Sequence, residues 1–429
     1  MKILQISFSD IEGGAAIASF RLHQGLLSAG VQSKMLVVSR KTRDDTVLRI
    51  SPSTSPTRRI ARAFRRQLIT SACIRHTLPQ VRHLYNDDRS WLGGELAANL
   101  PDCDLVHLHW VAGMVDYQKF LPIIAARVPL VWTLHDMNPF TGGCHYDSEC
   151  GRFMNECGNC PMLIDQKFND LSHQVWKNKK SAFDQVPSSR LQIITPSRWL
   201  AEKVSASSLL RNYAVSTIPL GLDLEEYAPR DKALAREILG IPKDARVVLF
   251  VAQDIKDKRK GYGILLEALK LLNDVFLLSM GAGAPSAAAN SVHVGYIQSG
   301  RNRRFSSLVY SAADVFAIPS LEDNLPQTAL EAMACGVPVV GFETGGIPES
   351  VHHGVTGSLV PTGDVLKLKS ALENILSDSD LRNRMARESR LMAEQKFSSQ
   401  GQAQAYIKVY EDMLHRASSR SESPKQEQR

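Results

Sequence analysis

The stretch from Ala313 to Val355 constrains this chain most. Val315 to Pro319 is a short apolar run that reads as a buried strand. The loop Glu322-Asp323-Asn324 follows it. A helix pattern then runs from Pro326 to Ala334 and is closed by Gly336 and Pro338. A second apolar run, Val337 to Phe342, leads through the turn Thr344-Gly345-Gly346 to a helix start at Pro348-Glu349. Two strands that each feed a loop and a helix make a parallel α/β unit. The helix N-termini present free backbone N–H groups and a positive dipole end, which suits an anionic ligand. Asp323 and Glu331 add carboxylates to that anion site. Such a combination suits hydroxyl groups, as on a ribose or a sugar, so the segment is built for a sugar nucleotide.

The same alternation recurs along the chain. Lys2 to Phe8, Lys34 to Ser39, Asp104 to His109, Leu130 to Leu134 and Gln192 to Thr195 are short apolar strands with helical patterns between them. Glu12-Gly13-Gly14 is a glycine turn that opens a helix. A second series begins with Arg246 to Ala252, continues with Val275 to Met280 and Ser291 to Gly295, and ends in the segment above. Strands buried on both faces by intervening helices predict two doubly wound α/β domains. The chain length of 429 residues accommodates them.

Glu331-Ala332-Met333-Ala334-Cys335-Gly336-Val337-Pro338-Val339, with an acidic residue eight positions before Glu331, resembles the donor signature of the retaining glycosyltransferases of family 4, also called group 1. The resemblance implies the GT-B architecture, two Rossmann-like domains facing across a cleft. On that basis residues 1–217 form an acceptor domain containing a cysteine-rich loop at 141–162, and residues 218–398 a donor domain. A helix at 399–416 packs back on the first domain, and 417–429 is a disordered tail.

The resemblance also assigns residues. Glu331 contacts the nucleoside side of the donor. Asp323 stands where the family has a Glu, and Glu322 is one residue out of register, so either Glu322 or Asp323 meets the donor sugar. Asn324, Leu325, Thr344, Gly345 and Gly346 complete the donor loops, the last three through backbone amides. Lys260-Gly261 matches a Lys-Gly pair that neutralises the leaving diphosphate. The Arg that precedes it in the family is replaced here by Gln253-Asp254, with Arg259 as the substitute charge. In the first domain Gly14 lets backbone approach the diphosphate, and His135, at a strand end, contacts donor sugar or acceptor. His107 and His109 are further strand-end histidines. The catalytic set is therefore His135, Lys260, Asp323 and Glu331. Attack would come from the face the leaving group departs from, with its phosphate as base and no metal cofactor required.

The net charge of +7 suits an acidic partner. Arg58, Arg59, Arg62, Arg65 and Arg66 alternate with Ile60, Phe64, Leu68 and Ile69. This is either a helix for an anionic membrane surface or one whose apolar face packs on its own domain. No apolar run is long enough to span a bilayer, and the N-terminus is not a signal peptide, so a cytoplasmic protein is expected, peripheral to the inner face of the plasma membrane if the basic helix docks there. Cys144, Cys150, Cys157 and Cys160 lie within 17 residues and end in Cys-x-x-Cys, a spacing open to a structural zinc, to unligated thiols or to a redox pair, with His145 as a spare ligand. The Asp-x-Asp triplets at Asp102 and Asp378 are read as chance.

The loop after His135 resembles those of bacterial exopolysaccharide and capsule transferases. That likeness implies a saccharide acceptor on a polyprenyl diphosphate carrier. Two rival readings are a non-catalytic glycosyltransferase-like subunit and a nucleic-acid binder. The latter lacks an RNA or DNA motif, so no nucleic-acid partner is expected.

Overall fold

All strand pairs in the two sheets run parallel, as connections through helices require. The computed structural model describes residues 1–283, 290–297 and 302–421. The first sheet has seven strands: β1 (Lys2–Ser9), β2 (Gln32–Ser39), β3 (Val47–Arg49), β4 (Leu105–Leu108), β5 (Leu130–Thr133), β6 (Leu191–Thr195) and β7 (Ala214–Thr217), in the order β3-β2-β1-β4-β5-β6-β7. The second has six: β8 (Arg246–Asp254), β9 (Val275–Ala282), β10 (Ser291–His293), β11 (Val315–Ile318), β12 (Val339–Phe342) and β13 (Gly357–Val360), in the order β10-β9-β8-β11-β12-β13. Both orders reverse direction once, between β1 and β4 and between β8 and β11. Ligands of open α/β sheets bind beyond the strand ends at such a reversal. The α/β doubly wound expectation holds in both halves.

The central strands are short and wholly buried. β4, β5, β11 and β12 each show four buried residues in a row, the pattern of strands covered on both faces. In the second sheet, Leu265 and Ala268 of the helix Tyr262–Lys270 pack on one face with Val248 and Phe250. Tyr310, Leu330 and Met333 pack on the other face with Leu249 and Phe316. The helices after β8 and after β11 thus leave the sheet on opposite sides and open a crevice between those two strand ends.

The chain divides into two compact units, residues 1–10, 22–218 and 403–429, and residues 11–21 and 219–402. The two joins lie at 218/219 and 402/403, beside the expected 217/218 and 398/399, and residues 11–21 group with the second unit. Ala18 joins that unit's apolar core, and Arg21 its buried polar network. The last helix, Ser399–Ser421, belongs to the first unit from Ala403, where Tyr406, Tyr410 and Met413 pack against Ile3, Leu105 and Val131. It continues past Ala417, where a disordered tail is expected. Once a packed helix exists, each further residue adds a hydrogen bond at little cost. Residues 422–429 lie outside the described residues.

The basic segment forms the helix Pro56–His76, which has no buried residue. It is tied to the first unit by Arg62, ion-paired with Glu95 at 3.0 Å, and by Arg65, which donates to the Trp91 carbonyl. Ile60, Phe64 and Leu68 follow a spacing of four, share one stripe and are exposed, Ile60 at 71%. The apolar face therefore does not pack on its own domain. Among the described residues, no helix is long and apolar enough to cross a membrane.

Candidate functional site

Lys260 and Asp323 meet at the reversal of the second sheet. Lys260 follows β8, Asp323 follows β11, and these strands are neighbours. Lys260 Nζ donates to Asp323 Oδ2 at 2.5 Å, and Ser320 Oγ donates to the same oxygen at 3.2 Å. Arg259 Nη1 stands 3.8 Å from Asp323 Oδ1. Burial alone would raise the Asp323 pKa. Lys260 and Arg259 outweigh it and hold the carboxyl below the usual range. Lys260 uses one of its ammonium protons here and keeps 22% side-chain exposure, so it can also present charge to an anion.

Close backbone approach assembles this corner. Gly261 has φ +73°, and a Cβ there would overlap the Pro319 carbonyl. Gly345 has φ +57°, and its Cβ would overlap the carbonyl of Asp323. Only glycine supplies both the left-handed conformation and the missing side chain. The Gly346 N–H donates to the Asp323 carbonyl at 3.0 Å, and Thr344 Oγ1 to the Leu321 carbonyl at 3.1 Å. The Thr344–Gly346 turn and the acidic loop thus form one packed unit.

That packing gives several of these residues partners within the fold. The amides of Thr344 and Gly346 serve Phe342 and Asp323, and the turn positions Asp323. Arg259 is committed to the loop, donating to the Glu322 carbonyl at 2.7 Å and pairing with Asp257 at 3.4 Å. It braces the corner. Leu325 is buried in the apolar core beside Leu330 and Ile347, and Asn324 is buried at the same turn. Of the two acids weighed, Asp323 is the one whose side chain lies with Lys260; Glu322 contributes its carbonyl to Arg259.

Glu331 lies on the helix Gln327–Ala334, which ends at Gly336 in the left-handed conformation. It is buried and forms a different cluster. Arg21 Nη2 donates to Oε1 at 2.6 Å and Tyr310 OH to Oε2 at 2.8 Å. Arg21 also donates to Gln327 Oε1 at 2.8 Å and to Tyr227 OH at 2.9 Å. Gln327 Nε2 donates in turn to the Gly14 carbonyl at 2.6 Å. So Glu331 and Gly14 are joined through Arg21 and Gln327, residues that the sequence reading omitted. A signal for Arg21 existed: it lies seven residues after Gly14 on the helix Gly14–Ser28, hence on the same face.

His135 lies in the first unit, just past β5, in a small cavity lined also by Trp110, Asp136 and Asn138. Burial pushes its pKa down to about 4, so it is neutral at pH 7. His109 Nδ1 stands 3.3 Å from His135 Nε2. Asp136 accepts from His145 Nδ1 at 2.5 Å and from Trp110 Nε1 at 3.0 Å. Those bonds hold it below the usual carboxylate range against the effect of burial. His107 is enclosed by Thr133 and Tyr410, each at 2.8 Å, and serves the core.

Cys144, Cys150, Cys157 and Cys160 are free thiols. Cys144 and Cys160 pack among Tyr85, Leu163 and Val175, and Cys157 accepts the Gly142 N–H at 3.2 Å. Burial pushes Cys157 up to about 12 and Cys160 to about 11. Among the described residues, no three His, Cys, Asp or Glu side chains are grouped to hold a metal ion. Backbone turns at Gly143, Gly151 and Gly158 shape the loop instead. Asp102 pairs with Lys2, and Asp378 caps the helix Ser379–Lys396.

Residues 231–392 match the family described as Glycosyl transferases group 1. A D-inositol 3-phosphate glycosyltransferase of Mycobacterium sp. (strain KMS) is 34% identical over 290 residues, 64% of this chain and 59% of the relative. One from Saccharomonospora viridis is 32% identical over 271 residues, 56% of this chain and 62% of the relative. The chain thus spans about three fifths of the length of these curated relatives. The glycosyl transferase WcaC of Escherichia coli (strain K12), assigned to colanic acid biosynthesis, is 26% identical over 433 residues, 96% of this chain and 100% of WcaC. Among solved structures, sucrose-phosphate synthase of Thermosynechococcus elongatus aligns with a TM-score of 0.66 at 18% identity, covering 97% of this chain and 100% of that one. Anabaena HepE, solved with UDP-glucose, aligns at 0.62 and 18% identity, covering 96% and 99%.

Proposed function

We propose that this chain, whose residues 231–392 match the group 1 glycosyl transferases, transfers a sugar from a nucleotide-sugar donor to a saccharide acceptor. The observation that carries the proposal is the Lys260–Asp323 corner at the reversal of the second sheet. When the glycosidic bond breaks, negative charge develops on the diphosphate. Lys260 stabilises that charge as it forms, and Asp323 holds the ammonium in place. Asp323 also offers its carboxylate to a hydroxyl of the donor sugar. The acceptor hydroxyl attacks the anomeric carbon from the departing face and passes its proton to the leaving phosphate, so configuration is retained. His135 accepts a hydrogen bond from a sugar hydroxyl, and the Gly14 turn lets backbone approach the diphosphate.

Likeness to WcaC supports a place in exopolysaccharide or capsule assembly, with the acceptor on a polyprenyl diphosphate. The outward stripe Ile60, Phe64 and Leu68, flanked by arginines, supports docking on an anionic inner membrane surface.

A thermal-shift screen across UDP-, GDP-, ADP- and dTDP-sugars identifies the donor, since binding to the folded state raises Tm. Radiolabel transfer from that donor to lipid-linked saccharides then tests the reaction. Donor binding without transfer to any acceptor would favour a non-catalytic subunit of a synthase. No shift with any sugar nucleotide would refute the proposal.

A further inference from the structure

Beneath His135 a line of hydrogen bonds crosses the first sheet and ends on a carboxylate, and each proton in it can be placed. Asp44 has only acceptor oxygens when ionised, and its carboxyl lies below the usual range because bonds from Thr46 and Gln24 outweigh burial. Thr46 Oγ1, 2.5 Å from Asp44 Oδ1, must therefore donate its single proton there. Having spent that proton, Thr46 must accept from His23 Nε2 at 2.8 Å, so this nitrogen carries hydrogen. Burial pushes His23 down to about 4; it is neutral, and its Nδ1 is bare. Nδ1 then accepts from Ser33 Oγ at 2.8 Å.

The remaining steps follow in the same way. Ser33 has no second proton and must accept from Gln5 Nε2 at 3.0 Å. The Gln5 carbonyl oxygen is left facing His109 Nε2 at 2.9 Å, which must donate to it. His109 is buried, and its pKa is pushed well down, so its Nδ1 is bare as well. That nitrogen accepts from His135 Nε2 at 3.3 Å. Reversing any link would set two donors or two acceptors against each other, and at the buried links His23–Ser33, Ser33–Gln5 and Gln5–His109 that costs the desolvation of both.

The geometry points to Asp44 as a positioning residue that fixes the tautomer of His135, with the proton on Nε2 and the lone pair on Nδ1. In that tautomer Nδ1 is an acceptor and not a donor. Any consequence for a substrate rests on the reading of His135 as a sugar contact; the tautomer does not.

Two-bond 15N–1H correlation NMR at pH 7 on histidine-labelled protein tests it, with His135→Gln and His23→Gln identifying the resonances. Wild type is expected to show Nε2–H on His23, His109 and His135. A proton on Nδ1 of His135 would overturn the proposal. Thr46→Val, which removes the hydroxyl at constant shape, should give mixed tautomers as far as His135, and Thr46→Ser should restore the single form. An unchanged pattern in a folded Thr46→Val protein would also overturn it, and if that variant does not fold, the wild-type assignment still decides. With a transfer substrate in hand, Thr46→Val should lower kcat roughly tenfold with KM little changed, the scale of one lost hydrogen bond. If no transfer is ever seen, the NMR result stands apart from that failure.

Discussion

Lys260 and Glu331 are both charged residues of the second unit, yet their substitution should do different things. Lys260 is partly exposed and sits at the crevice, so Lys260→Met should leave the fold intact. It should lower turnover by about a hundredfold or more, the scale of removing one preorganised charge-stabilising donor. Arg21 and Glu331 form a buried pair with side-chain exposures of 2% and 7%. Arg21→Met leaves the carboxylate buried without its cation and should cost about 3–5 kcal/mol in urea denaturation. A smaller loss would mean that Tyr310 and solvent suffice for Glu331. The two sites differed in legibility for a physical reason. Lys260 and Asp323 stand in short motifs beside glycines that enforce close approach. The partner of Glu331 is 310 residues away in the chain, and no local pattern pairs an arginine on one helix with a glutamate on another.

At the scale of elements, the glycine turns carry the site. Gly345→Ala should displace the Asp323 loop and weaken donor binding, measured by calorimetry. Gly363 has φ +80° and open space around it, so Gly363→Ala should cost only the backbone strain of about 1–2 kcal/mol and leave donor affinity unchanged. Equal effects of the two would show that strain, not the Asp323 contact, matters. The helix Pro56–His76 gives a second prediction. Changing Ile60, Phe64 and Leu68 to Ser should abolish flotation with anionic vesicles while leaving Tm unchanged, because none of the three is buried. The central strands were legible because burial on both faces makes them continuous apolar runs. The edge strands β3, β7 and β13 were not: they are three or four residues long and hold partly exposed residues, so pairing rather than composition defines them. The cysteine spacing left three readings open because thiols that pack as small apolar groups look the same in sequence as thiols that bind metal.

Over the whole molecule, stability should fall on acidification before the carboxylates titrate. Burial holds His23 and His135 near 4, and His107 and His109 well below the 6.5 of an exposed imidazole. Below pH 6.5 the unfolded chain therefore binds protons that the folded chain refuses, so stability is lost as pH drops from 6.5 towards 4. Asp136, Asp314 and Asp323 lie below 3.8 when folded and add their loss only under that pH. Tm should be lower at pH 5 than at pH 7; a flat profile would show that these histidines already bind protons in the fold. Two doubly wound units were readable from the alternation of apolar runs and helices. The grouping of residues 11–21 with the second unit was not, since it depends on Arg21 finding Glu331. The central claim is that Lys260, held by Asp323, binds the diphosphate of a sugar nucleotide. Calorimetric titration of the best sugar nucleotide from the thermal screen into wild type and Lys260→Met tests it most directly. One site per chain, weakened roughly tenfold to a hundredfold in the variant, is the predicted result. Equal affinity in the two proteins would contradict the account.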